Sequence, residues 1–163
     1  LGIAQGFQPV CAFNYGAGKK DRVQKASWFT MLFGIGIMGA LCVICDIFAP
    51  DIITLFREEE SVLAAGTGAF RWMCRTLFVL PVSAVGSMLF QSIGKKGRAL
   101  FIALLQSGMV SVPLMLVLPN YFGIAGIWAA QPVAYLAAGG VTLFVMLSFF
   151  QEMKQETEEK HPE

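Results

Sequence analysis

Charge is what this chain has least of. Asp, Glu, Lys and Arg make up 14% of its 163 residues, against about 25% in an ordinary soluble domain. The 12 basic and 11 acidic residues leave a net charge of +1, so there is no basic excess to neutralise a phosphate backbone, and nucleic acid is excluded as a partner. Histidine occurs once, as His161 in the acidic stretch Gln151–Glu163. Neither a nucleophile–base pair nor a pair of carboxylates falls within the long apolar stretches, so no catalytic residues are nominated and an enzyme is not expected. Asp46 is the one acid near their interior, four residues before Pro50. Cysteine is present as Cys11, Cys42, Cys45 and Cys74. Cys42 and Cys45 have CxxC spacing but no second ligand pair, so no metal site is expected and the thiols read as small hydrophobes. Gly34-Ile-Gly36-Ile-Met-Gly39 contains GxGxxG, yet no strand precedes it, which excludes a phosphate loop.

What fills the space is apolar. Hydrophobic residues reach 56% with 14 Phe and 17 Gly, and the mean hydropathy is +0.64. A 17.7 kDa soluble core cannot bury that much, so the chain is read as a membrane protein. Ser27–Cys45 and Thr76–Gly94 are charge-free, as is everything from Ala99 to Gln151. Crossing about 30 Å of hydrocarbon takes about 20 helical residues. The first two blocks hold one span each, and the third holds two joined by a turn at Pro119-Asn120. The predicted spans are Ser27–Ala49, Arg75–Gly94, Ala99–Leu118 and Ala125–Phe150. Before them Leu1–Gly18 is charge-free and carries no leader pattern. It reads as the end of a fifth helix, and the chain as a piece of something longer. The fold class expected is an all-α polytopic membrane bundle, with residues 1–150 in the bilayer and 151–163 an acidic tail.

Lys19, Lys20, Arg22 and Lys25 follow the partial span, and Lys95, Lys96 and Arg98 lie two crossings later. An even number of crossings puts both clusters on one side, the cytoplasmic one, together with the C-terminus. Asp51, Arg57-Glu58-Glu59-Glu60 and the Pro119–Gly123 turn then fall outside. Arg71 and Arg75, one helical turn apart, either snorkel to the outer headgroups or face a polar cavity from a helix beginning near Ser61. Within the spans, Gln5 with Gln8, the series Ser83, Ser87, Gln91, then Gln106, Ser107 and Ser111, and Gln131 with Tyr135 form wet stripes. They serve either as interhelical hydrogen bonds or as the lining of a water-filled chamber. Pro9, Pro81, Pro113 and Pro132 each remove an intrahelical bond and predict kinks. Ala130, Ala134, Ala138 and Thr142 make one small-residue packing face, and Gly36 with Ala40 another.

One stretch is more specific. Gly2-Ile-Ala-Gln5-Gly6-Phe-Gln8-Pro9, followed by Asn14-Tyr15-Gly16-Ala17-Gly18-Lys19-Lys20 and Arg22-Val23, resembles the second-lobe signature of the multidrug and toxic compound extrusion (MATE) family. Pro81 with Phe90-Gln91-Ser92-Ile93-Gly94-Lys95 resembles that family's tenth helix and the turn after it. Leu118-Pro119, Phe122-Gly123-Ile124-Ala125-Gly126-Ile127-Trp128 and Gln131-Pro132 resemble the link from its eleventh helix to its twelfth. The likeness covers about residues 1–150 in order.

The resemblance implies two six-helix lobes around a cleft, of which this chain would hold the end of helix eight and helices nine to twelve. It implies export of organic, often cationic or aromatic, compounds against H+ or Na+ across the cell inner (plasma) membrane, by alternating access. Candidate cavity residues are Gln5, Gln8, Asn14, Tyr15, Ser87, Met88 and Gln91. Candidate kinks or gates are Pro9, Gly16, Gly18, Pro81, Pro113 and Pro132. The partners implied are the lipid bilayer, the missing N-terminal lobe and small organic substrates. No cofactor is expected. The family's coupling acids lie on the first helix, or on the seventh and tenth, and Thr76–Gly94 has none, so the coupling-ion site is expected in the missing part and the piece alone is expected to be inactive. Two other readings stay open: a flippase-like transporter of lipid-linked saccharides, and a purely structural membrane bundle.

Overall fold

A computed structural model of the chain describes residues 2–54 and 60–160, with side chains described for 2–54, 66–123 and 125–155. Among the described residues every regular element is helical, as it must be where lipid offers backbone amides no alternative partner. The order is α1 (Gly2–Gly16), α2 (Lys20–Ile47), α3 (Ala49–Thr54), α4 (Glu60–Leu77), α5 (Leu80–Ser92), α6 (Lys96–Leu104), a π turn (Leu105–Met109), α7 (Ser111–Phe122) and α8 (Ile124–Lys160). Arg57, Glu58, Glu59 and His161 lie outside the described residues.

Among the described residues three helices are long and apolar enough to cross a bilayer: α2, the α6–α7 run Lys96–Phe122, and Ala125–Gln155 of α8. A fourth crossing is counted where Gly66–Leu77 and Leu80–Ser92, bent by 45° across a short break, are taken as one span. This agrees with four spans, with α1 as the fifth, shorter helix. The second full span, however, is neither straight nor confined to Arg75–Gly94. Its upper part is α4, which begins at Glu60, and the break falls at Phe78–Val79. Pro81 stands in the first turn of α5 and has no amide to offer the carbonyl of Leu77.

Pro113 acts differently from a simple kink. It cannot donate to the carbonyl of Met109, and the distortion appears just upstream, in the π turn, where Gly108 adopts φ 134. Pro132 lies buried within an unbroken α8, and Pro9 lies exposed within an unbroken α1. The expected turn at Pro119-Asn120 is also displaced. Both residues belong to α7, and the chain reverses at Gly123, whose amide donates to the carbonyl of Pro119 at 2.9 Å with φ 57. Gly126 permits the hairpin to close: a Cβ there would run into the Leu118 carbonyl.

Helix α5 lies at the centre, against α1, α2, α6 and α8. The core gathers Phe7 and Cys11 of α1, Val23 of α2, Leu89 and Phe90 of α5, and Met146 and Phe149 of α8. Phe90 meets Phe149 edge to face at 5.3 Å between ring centres. The stripe Ala130, Ala134, Ala138 and Thr142 is buried as a packing face, and α5 answers it with Gly86, where a Cβ would collide with Thr142 and Met146. The second expected stripe is not packed. Gly36 and Ala40 are exposed, and Gly34 is the residue that meets a neighbour, Pro81. Outward-facing Phe29, Leu116 and Phe144 are 70% exposed or more, the surface that a lipid solvent requires.

Candidate functional site

Helices α1 and α5 run side by side in the same direction: Ala4 lies beside Val85 around one hollow, and Gln8 beside Gln91 around another. The hollow nearer the basic turns is an open groove walled by Gln8, Pro9, Ala12, Gln91 and Ser92. Inside it, the amide of Gln91 donates to the Ser87 hydroxyl at 3.0 Å, and the Ser92 hydroxyl donates to the Met88 carbonyl at 2.6 Å. Ser87 itself is buried and Met88 half-buried against the core. The helical repeat that aligned Ser83, Ser87 and Gln91 therefore descends from an exposed amide into two buried hydroxyls.

Further in, a cavity of about 290 Å³ opens between α1, α2 and α5. Its walls are largely apolar, among them Ile3, Ile37, Met38, Leu80 and Pro81, with Thr30 and Gln106 as the polar side chains. The bend at Pro81 and the π turn place it there. Pro81 at the first and Gln106 in the second both line it. Gln106 is legible in the sequence as one of few polar groups in a long apolar block. Its position beside α1 and α2 is not, because that depends on the π turn.

The remaining nominated residues lie elsewhere. Gln5 is exposed and lines neither hollow. Asn14 donates from its side chain to the Val10 carbonyl at 2.8 Å, and its own carbonyl accepts from Lys19 at 2.9 Å. The Tyr15 carbonyl accepts from Gly18, and its ring packs partly buried against the core. Asn14, Tyr15, Gly16 and Gly18 thus build the end of α1.

That turn has a twin which inspection for apolar spans overlooks. Gly18-Lys19-Lys20-Asp21-Arg22 and Gly94-Lys95-Lys96-Gly97-Arg98 share a Gly-Lys-Lys-x-Arg pattern. Their glycines have φ 71 and φ 76, and Lys19 and Lys95 both have ψ 65. In the second turn, Arg98 forks onto Glu152 at 2.7 and 3.0 Å, and Lys95 lies 3.6 Å from the same carboxylate and 4.4 Å over the Phe149 ring. In the first, Lys20 Nζ donates to the Met153 carbonyl at 3.4 Å. Both turns therefore sit at one end of the bundle, against neighbouring residues of α8. That helix runs on past Phe150 without a break.

At the other end, Arg75 lies 3.6 Å from Asp46, while Arg71 Nε and Thr67 Oγ1 are buried without hydrogen-bond partners. Neither arginine belongs to the walls of the groove or the cavity.

Comparison with known proteins places this arrangement. The MatE family profile matches residues 1–117. Among curated relatives, the multidrug export protein MepA of Staphylococcus haemolyticus (strain JCSC1435) is 22% identical over 152 residues, which is 91% of this chain and 32% of MepA. The chain thus spans about a third of the length of the curated relatives it matches. Among solved structures, an inward-facing multidrug resistance MATE family transporter of the MOP superfamily aligns with a TM-score of 0.88 at 21% identity, over 95% of this chain and 36% of that one. An outward-facing structure of such a transporter aligns at 0.85 and 20%, over 93% and 35%. The profile match over most of its length, on a bundle of the same fold, shows that this chain belongs to the MatE family of membrane transporters.

Proposed function

We propose that this chain forms most of the second lobe of a multidrug exporter, which expels organic, often cationic or aromatic, compounds in exchange for H+ or Na+. The observation that carries this reading is the seam between α1 and α5, along which lie both the open amide-lined groove of Gln8 and Gln91 and the apolar cavity. A flat substrate enters by exchanging water for the polar rim and is then held by apolar area, with Thr30 and Gln106 supplying orientation. The cavity lies near the lower end of the usual range for small-molecule sites, about 300–1,000 Å³, and Met38 gives it an adaptable wall. In the cell membrane the two basic turns and the C-terminus would face the cytoplasm. Similarity to both an inward-facing and an outward-facing transporter supports a lobe that rocks as a unit against the missing one, which would hold the ion-coupling acid.

The test is dye efflux by the complete transporter carrying this sequence. Gln8→Leu with Gln91→Leu, and separately Gln106→Leu, are expected to slow efflux of a cationic dye by about tenfold, the scale of one lost buried hydrogen bond. Unchanged efflux at normal membrane abundance overturns the assignment of the groove and cavity. The 163-residue chain expressed alone is expected to give no efflux above background.

A further inference from the structure

The two Gly-Lys-Lys-x-Arg turns have the same backbone and different electrical surroundings. In the second, Arg98 and Lys95 are engaged by Glu152 and by the Phe90 and Phe149 rings. In the first, Lys19, Arg22 and Lys25 are exposed around a shallow groove in which Asp21 is the one acid, and among the described residues none of the three forms an ion pair. Three positive charges are left there facing outward.

What lies along the same face of α2 identifies the partner. Arg22, Lys25, Phe29, Leu32 and Phe33 recur at i, i+3, i+7, i+10 and i+11, one stripe of a helix. Phe29, Leu32 and Phe33 are 71%, 60% and 52% exposed, and the rings of Phe29 and Phe33 are stacked 5.9 Å apart. At 1.5 Å per residue the stripe runs about 16 Å from cationic head to apolar end. A soluble anion would use only the head of such a surface, and a neutral lipid only its stem. We propose that this face of α2 holds an anionic phospholipid, its phosphate among Lys19, Arg22 and Lys25 and its acyl chains along Phe29, Leu32 and Phe33. The site is separate from the seam between α1 and α5 and does not depend on what the protein exports. Basic residues beside a span attract anionic headgroups. Here the twin turn supplies an internal control, since its Lys95 and Arg98 are already engaged.

Native mass spectrometry of the complete chain, released from nanodiscs of equimolar phosphatidylglycerol and phosphatidylcholine, tests this. The unaltered protein is expected to retain phosphatidylglycerol over phosphatidylcholine by at least about fivefold. Lys19→Gln, Arg22→Gln and Lys25→Gln combined should bring the ratio near unity, whereas Lys95→Gln in the twin turn, where the charge is already held by Glu152, should leave it unchanged. Phe29→Ser with Phe33→Ser keeps the charges and should lower retention by about threefold, which decides the matter should the triple variant fail to insert. Equal retention by the triple variant overturns the proposal. So does complete displacement of the lipid by about 10 mM inorganic phosphate, which would mark a site for free anions. Absence of any preference in the longer transporter also overturns it, because the face would then be covered by another part of the polypeptide.

Discussion

Gly86 and Gly36 differ in one respect that their spacing does not reveal: Gly86 has a neighbour. A side chain at Gly86 would enter the space of Thr142 and Met146, and one at Gly139 would enter that of Val79, whereas nothing lies within 4 Å of Gly36. Gly86→Val is therefore expected to destabilise the protein by about 1–3 kcal/mol, the usual cost of overfilling a packed seam. Gly36→Ala should be neutral or slightly stabilising, since alanine is the better helix former. Thermal unfolding in detergent compares the two, and equal melting temperatures would count against the α5–α8 seam described here. Residue type at helical spacing revealed the Ala130–Thr142 face. It was misleading for Gly36 and Ala40, because a small residue signals only that approach is allowed. The candidate site shows the same limit. The amides of Gln8 and Gln91 are legible as polar groups at membrane depth, but their meeting across two helices is not a property of either segment.

Elements follow the chain's punctuation, with glycine stronger than proline. The Pro119-Asn120 pair reads as a turn in the sequence, yet α7 absorbs it, because a proline near a helix end sacrifices one bond while the chain reverses where a positive φ is free. Gly123, at φ 57 and ψ −136, is where that happens. Gly123→Ala is expected to cost about 1–3 kcal/mol, and Pro119→Ala less than about 1 kcal/mol, again read from unfolding in detergent. The reverse ranking would place the turn back at Pro119. The 45° break before Pro81 was legible as a kink and not as a separate helix extending up to Glu60. The run from Glu60 to Arg75 is too mixed in polarity to read as a span. It is held instead by α2, α3 and α8, with Gly66 against Ile53 and Gly68 against Trp128.

For the molecule as a whole, the count of crossings and the sharing of one end by both basic turns were readable from the sequence, because charge and hydropathy act on every residue of a span alike. In a cysteine-free background, Lys25→Cys and Lys96→Cys should react with an impermeant maleimide from the same face of sealed vesicles. Labelling from opposite faces would be incompatible with this bundle. What hydropathy misses is that the contacts of the bundle run past Phe150, where it draws the boundary. Glu152 gathers Arg98 and Lys95, and Met153 is buried and receives Lys20. A stop codon after Phe150 would keep every lipid-crossing residue and remove the rivet joining three helix ends. Such a shortened protein should insert normally, yet be cut by trypsin at Lys95–Arg98 several times faster than the unshortened one. Glu152 and Met153, which look dispensable on a hydropathy plot, would then prove to be the strap at the base of the bundle.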